Sequence, residues 1–271
     1  MHIDHSWQVV SVKAAVVMRH AHHHAWCGAM ASALEKHGIA VERRHDVLNV
    51  DADFVVCWGW RIGRQARCPV LLMERGHIGD RMRWASCGWS GLGRHGRYAC
   101  VNDGGERWKR YFAFERPWSE GAYALVMGQC EGDLALESMG RSVIAWAQEV
   151  TDALRAKGYA VMYRPHPSML DDPSFPRGAA RSTCTLEDDL SGAQLAVTWN
   201  STAGVDAVLA GVPTVAMDEG SMAWPVTTHD LESGPICPDR TQWMHELAWT
   251  QFSLDEVASG FAWECIKESM P

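Results

Sequence analysis

A chain of 271 residues is long enough for two compact domains of ordinary size or one large one, and its 47% hydrophobic and 21% charged residues are a normal soluble composition. No stretch approaches the apolar length of a membrane span, and the N-terminus lacks a basic start followed by a long apolar run, so neither a membrane anchor nor a signal peptide is expected. Nine scattered Cys without a CxxC pair argue for reduced thiols in a cytoplasm, and the net charge of −8 hides an asymmetry: Trp58 to Tyr111 carries ten Arg and one Lys against Glu74, Asp80, Asp103 and Glu106. Such a basic segment in an acidic chain is either a polyanion-binding face or a solvated Arg-rich surface. The 14 Trp suit stacking surfaces or the core.

In chain order, Val9 to Met18 is a β-rich apolar run and the first strand. Arg19 to His24 (RHAHHH) reads as a loop. Trp26 to His37 reads as a helix, with Met30 and Leu34 at helical spacing and Gly38 as its stop. Short strands follow at Ile39 to Glu42, Phe54 to Cys57 and Cys68 to Met73. Strands alternating with helices or loops imply a parallel, Rossmann-like sheet, and the lack of GxGxxG after the first strand argues against a dinucleotide cofactor. Ligands of such sheets bind beyond the carboxyl ends of the strands. Those ends carry His20, His22, Trp58, Glu74, Arg75, His77 and Asp80. Glu74 to Tyr98 is too Gly-rich for a helix and too long for a routine connection, so a functional loop is expected. Its Arg81, Arg83, Arg94 and Arg97 can pair with phosphates, and Trp84, Trp89 and Tyr98 can stack on rings; the alternative is an irregular subdomain in which the Trp residues only pack.

Tyr111 to Gly121 marks the boundary between halves and divides the chain into residues 1–118, 119–240 and C-terminal helices at 241–271. The second half starts with a strand at Tyr123 to Met127. An amphipathic helix spans Val143 to Lys157, and a strand at Tyr159 to Tyr163 ends in Arg164-Pro165-His166-Pro167. A short acidic helix begins at Leu186. Then Leu195 to Asp218 reads as strand, small polar loop (Asn200 to Gly204), helix (Val205 to Leu209, stopped by Gly211) and strand. The loop either offers free backbone N–H groups and the Ser201 and Thr202 hydroxyls to a phosphate, or is an ordinary capped turn. The carboxyl-end rule places His166, Asn200 to Gly204 and Asp218 along one rim. Asp239 to Trp249 is a helix, and Ser253 with Glu256 forms a capping-box pattern for a last helix, Leu254 to Lys267.

Two Rossmann-like halves facing across a cleft are the architecture of GT-B glycosyltransferases. RPHP after a strand, then a strand, NSTAG and a helix ending GVPTVAMD, resembles the donor-binding half of bacterial and phage sugar transferases, capsule-type enzymes among them. The resemblance implies an α/β, GT-B-like fold of two Rossmann-like domains facing across a cleft. It implies a nucleotide-sugar co-substrate and no tightly bound cofactor. Arg164 and His166 would contact the donor phosphate, and Asn200, Ser201, Thr202 and Gly204 would cradle it. Asp206 would bind the ribose where Glu is usual, and Asp218 would complete the donor side. The Trp58-Gly59-Trp60 turn, the Glu74 to Tyr98 stretch and the C-terminal tail further resemble phage-encoded enzymes that glycosylate hydroxymethylated pyrimidines in DNA. That implies a UDP-linked sugar such as UDP-glucose and double-stranded DNA bearing 5-hydroxymethylcytosine or a related base. The DNA side would comprise His20, His22, Trp58, Arg75, Arg81, Arg83, Trp84, Trp89, Arg94 and Arg97, in a (host) cytoplasm and without a membrane. Two alternatives stand beside this reading. One is transfer to a surface polysaccharide or lipid-linked glycan, for which the His-Pro element suggests a CMP-activated acidic sugar. The other is a non-catalytic nucleic-acid-binding protein with a degenerate transferase fold.

Transfer needs charge stabilisation on the departing phosphate, from Arg164, His166 and a helix N-terminus. It also needs a base for the acceptor hydroxyl: Asp80 first, then Glu74, with His77 and His20 behind them. No DxD is present, which fits a metal-independent site, and the His20 to His24 cluster is not expected to hold a metal.

Overall fold

The computed structural model describes residues 12–271; the start of the expected first strand, Val9 to Ser11, lies outside the described residues. The first lobe begins with β1 (Lys13–Val17), α1 (Ala21–Lys36), β2 (Ala40–Arg44), β3 (Phe54–Trp58), α2 (Trp60–Gly63), β4 (Val70–Arg75), β5 (Trp84–Trp89) and α3 (Glu106–Tyr111). β1 pairs in parallel with β2 and β3, and β3 with β4, whereas β4 and β5 run antiparallel. The sheet is therefore mixed rather than parallel throughout.

Two expectations for this lobe are corrected. The RHAHHH stretch is not a loop: α1 (Ala21–Lys36) starts inside it, with His20 at its N-cap. Nothing in Ala21 to Trp26 breaks a helix, and the buried stripe of α1 runs His23, Cys27, Met30, Leu34, so its apolar periodicity starts one turn before Trp26. Nor is Glu74 to Tyr98 one long loop. β5 occupies its middle, in register from Leu71↔Trp89 to Arg75↔Ala85. Ala85, Cys87 and Trp89 alternate into the core, while Gly88 on the other face lies against Tyr98.

The second lobe is a parallel sheet of β6 (Tyr123–Met127), β7 (Val161–Arg164), β8 (Ala180–Arg181), β9 (Ala193–Thr198) and β10 (Thr214–Ala216), in the order β10-β9-β6-β7-β8. One face is covered by α4 (Val143–Ala156) through Val143, Trp146, Ala147, Val150 and Leu154. The other face is covered by α5 (Leu186–Ser191) and α6 (Ala203–Leu209) through Leu190 and Ala207. Gly211 stops the chain after α6 at φ 82°, beside the Pro117 carbonyl, a place where a side chain has neither the conformation nor the room.

Residues 241–271, expected as helices, also contribute a strand. After α7 (Thr241–Ala248), β11 (Gln251–Ser253) joins the first sheet antiparallel to β5, so that sheet reads β11-β5-β4-β3-β1-β2. The Ser253–Glu256 capping box forms, but the expected single last helix is two, α8 (Leu254–Ser259) and α9 (Phe261–Ile266), broken at Gly260 with φ 91°. Both pack on α1. One shared cluster joins the lobes: Ile78, Trp108 and Phe112 pack on Val205, Val208 and Leu209 of α6 and on Trp243, Met244 and Leu247 of α7. Among the described residues no helix is long and apolar enough to cross a membrane.

Candidate active-site cleft

A cavity of about 780 Å³ opens between the lobes. Its lining comes from the carboxyl ends of the strands: Gly59 and Trp60 after β3, Glu74 and His77 at β4, Gln129 and Cys130 after β6, His166 after β7, Asn200 to Thr202 after β9 and Asp218 after β10. Parallel strands end at one edge of each sheet, and the two edges face each other.

On the second-lobe wall the polar groups satisfy one another. Asn200 donates to Ala135 O (2.5 Å) and Asp218 Oδ1 (2.9 Å), and its backbone N–H goes to Gln129 Oε1 (3.0 Å). The N–H groups of Ser201, Ala203 and Gly204 go to Thr198 Oγ1, Ser201 Oγ and Ser201 O. The expected cradle of free N–H groups is thus largely spent on folding the loop, because a turn this tight closes on its own hydroxyls. Gly204 itself is buried with its Cα facing Thr198, outside the cleft lining. His166 is better placed. Its Nδ1 accepts the Ser168 N–H (3.2 Å), which leaves Nε2–H as the donor of the neutral ring, and burial lowers its pKa from the usual value. Arg164 is committed elsewhere: it donates to buried Asp189 (2.6 Å) and to Cys184 O (2.7 Å). The expected phosphate contact from Arg164 is therefore replaced by a structural ion pair.

On the first-lobe wall Glu74 accepts the Trp60 N–H (3.3 Å), and burial pushes its carboxyl up to about 7. His77 is buried, and desolvation followed by the charge of Arg81 takes it down to about 4, so the ring is neutral at physiological pH. The Tyr98 hydroxyl donates to Gly93 O (2.8 Å) and stands 3.3 Å from His77 Nε2. Gln251, fully buried in β11, clamps this loop: its Oε1 accepts the N–H groups of His77 (2.7 Å) and Ile78 (3.1 Å), and its Nε2 donates to Ile78 O (3.0 Å). The C-terminal strand therefore holds the backbone that presents Glu74 and His77.

The remaining expected residues lie elsewhere. Asp80 is exposed, accepts Met82 N–H (3.0 Å) and lines a second depression of about 620 Å³, not the cleft. Arg81 and Asp206 bond each other across the lobes at 2.5 Å, which takes Arg81 from a DNA phosphate and Asp206 from a ribose. Asp206 is pushed up by burial, with Arg81 opposing. Trp89 is fully buried and donates to Ile266 O (2.8 Å), and Trp84 packs on Tyr111 and Phe112, so neither offers a stacking face to an extruded base. Trp58 packs beside Trp26 and His23 with the Arg75 guanidinium over its ring. Arg94 reaches the second lobe, its N–H on Gly220 O and its guanidinium 3.5 Å from Glu219 O. Arg83 and Arg97 are exposed away from the cleft, His20 packs edge-on to His23, and His22 lies within α1. Among the described residues no three His, Cys, Asp or Glu side chains are grouped to hold a metal ion.

No protein-family model matches the sequence, and no curated protein matches it. Solved structures do. The β-Kdo 2,7-transferase KpsC of Thermosulfurimonas dismutans is similar at 14% identity and TM-score 0.51, over 95% of this chain and 99% of that one. The β-Kdo 2,4-transferase KpsC of the same organism is similar at 13% identity and TM-score 0.54, over 89% and 92%. The fold is GT-B-like.

Within this GT-B-like cleft, two segments contribute beyond the residues named from the sequence: 133–138, with Asp133, Glu137 and Ser138, and the loop Ser90 to His95, which falls inside the stretch expected to be functional but enters the cleft through His95 rather than Arg94. The first carries only the turn signal of Asp133, which caps a short helical turn through Ala135 N–H. The second was legible in one respect: Gly93 at φ 49° lies against the Gly220 carbonyl of the other lobe, and only glycine allows that approach. Among the described residues, five carboxylates line the cleft (Glu74, Asp133, Glu137, Asp218, Glu219), against one arginine, Arg61, and the histidines His77, His95 and His166.

Proposed function

We propose that the protein is a glycosyltransferase that moves a sugar from a nucleotide-activated donor to a glycan hydroxyl, with a CMP-linked acidic sugar of the Kdo type as the donor class. The observation that carries this reading is the meeting, in one interlobe cavity, of a carboxyl poised near neutrality (Glu74) with the His166 and Asn200 to Thr202 wall of the second sheet. A cavity of about 780 Å³ has the size of a small-molecule site. In the reaction the bond from the anomeric carbon to the phosphate oxygen breaks and its electron pair leaves on the phosphate. The acceptor oxygen bonds the anomeric carbon, and its proton passes to Glu74. His166 Nε2–H meets the charge developing on the phosphate.

The acceptor is read as a glycan, not a hydroxymethylpyrimidine in DNA, on electrostatic grounds. A duplex brings about one negative charge per 1.7 Å of axis. The cleft meets it with more carboxylates than cations, while Arg81 and Arg64 are paired with Asp206 and Glu137. The donor class draws on the RPHP element and on the names of the two Kdo transferases of similar fold. A donor whose phosphate and carboxylate are separate single charges also suits the scattered His166, His95 and Arg61 better than two adjacent phosphates would.

The test is incubation with CMP-linked acidic sugars and UDP-hexoses, offered with an oligosaccharide acceptor and with hydroxymethylated DNA, read by product mass. The reading expects the oligosaccharide to gain the acidic sugar. A hexosylated nucleoside from the DNA with the oligosaccharide unchanged would overturn it.

A further inference from the structure

We infer that Arg81 is a positioning residue, a strut from the first lobe that fixes the first turn of α6 and, with it, the Thr202 edge of the donor wall. The inference rests on the reading of the cleft as a nucleotide-sugar site for its functional consequence, but not for its geometry. Arg81 Nη2 donates both to Asp206 Oδ2 (2.5 Å) and to Thr202 O (3.2 Å). Thr202 lines the cleft, whereas Arg81 and Asp206 line the second depression, so the pair is the partition between the two cavities.

Three features make this turn dependent on a contact from outside. α6 has seven residues, too few for backbone bonds alone to hold a helix. Thr202 sits at its N-cap in helical rather than extended conformation and makes no side-chain cap bond; the Ala203 N–H goes to Ser201 Oγ (3.2 Å) instead. Arg81 and Asp206 both line the second depression, so one side of the pair faces that space rather than a packed core. The strut is itself anchored. Arg81 stands three residues after Ile78, whose backbone Gln251 clamps and whose side chain packs with Val205 and Val208 of α6. One connected path therefore links β11, the loop carrying His77, Arg81, and the loop carrying Thr202. It fixes the spacing between the acceptor-side and donor-side walls.

The two side chains are 32% and 29% exposed, so the pair contributes little to global stability and its effect is local. Arg81→Ala and Asp206→Asn should each speed amide exchange over residues 199–206 in the ligand-free protein by about tenfold or more, with the strands of the second sheet unchanged. The exchanged pair, Arg81→Asp with Asp206→Arg, should bring that segment back toward the wild-type rate. Where a donor nucleotide-sugar binds the wild type, both single variants should raise its Kd and KM by about tenfold to a hundredfold, with a smaller change in acceptor KM. Unchanged exchange at 199–206 in both single variants, or no recovery in the exchanged pair, overturns the strut whatever the ligand results. A strut upheld by exchange in a wild-type protein that binds no nucleotide-sugar would instead remove the reading of the cleft.

Discussion

Glu74 owes its proposed chemistry to where β4 ends. The strand carries the carboxyl out of the sheet and into a half-buried niche, where a single N–H from Trp60 does not offset desolvation, and the group titrates at about 7. Transfer should rise with pH through about 7 as the base becomes ionised. The stability consequence has the opposite sign. A carboxyl whose folded pKa lies above its unfolded value binds its proton more tightly when folded, so its contribution is fully present below the unfolded value near 4.5 and is lost as pH rises through about 7. Glu74→Gln should therefore lower kcat by about a hundredfold or more and, at pH 8, raise the unfolding midpoint. Steady-state kinetics and thermal unfolding at pH 5 and pH 8 check both halves; full turnover in the variant would move the base elsewhere. Among the candidate site residues named from strand-end position, Glu74, His77, His166, Asn200 to Thr202 and Asp218 line the cleft, whereas His20, Trp58, Arg75 and Asp80 do not. Arg81, Trp84 and Trp89, named for their side-chain chemistry, and Arg164, named with the RPHP element, do not either, because an arginine or an indole serves an ion pair or a core as readily as a ligand.

At the level of elements, the parallel strands β1 to β4 of the first lobe and most of the second lobe, β8 apart, are legible. β6, α4, β7 and α6 each pair a strong apolar period with a glycine or proline stop, so local and tertiary preferences agree. β5 and β11 were not legible. Trp84-Ala85-Ser86-Cys87-Gly88-Trp89 holds no β-branched residue, and Gln251-Phe252-Ser253 is three residues long; each is a strand because of its neighbour in the sheet. The tail is held by Arg107, which is 5% exposed on α3 (Glu106–Tyr111) and donates to both oxygens of Glu256 (2.6 and 2.8 Å), to Ala248 O and to Gln251 O, with its guanidinium against the Trp249 ring. Arg107→Ala would leave Glu256 partly buried without its partner, at a cost of about 3–5 kcal/mol. Urea unfolding measures that loss. Faster amide exchange in β11 should accompany it, since the tail and the loop it clamps come loose together.

Across the whole molecule, four arginines of the basic stretch noticed in the sequence form the first lobe's half of an interlobe contact. Arg64 pairs with Glu137 (2.6 Å) and Arg81 with Asp206, while Arg61 and Arg94 reach backbone carbonyls of the second lobe at Gly132 and Glu219. The charge asymmetry was visible in the sequence, but its partners were not, since they lie 73 and 125 residues away. Among the described residues, the lobes are thus joined both by the apolar cluster around α6 and α7 and by these polar contacts. The central claim, that this cleft holds a nucleotide-sugar, is tested most directly by titrating CMP-linked acidic sugars and UDP-hexoses into the wild-type protein and His166→Ala by calorimetry. Saturable binding of one donor class to the wild type, weakened about tenfold or more in the variant, is the predicted result. Equal affinity in the two proteins, or no binding of any nucleotide-sugar to the wild type, would contradict it.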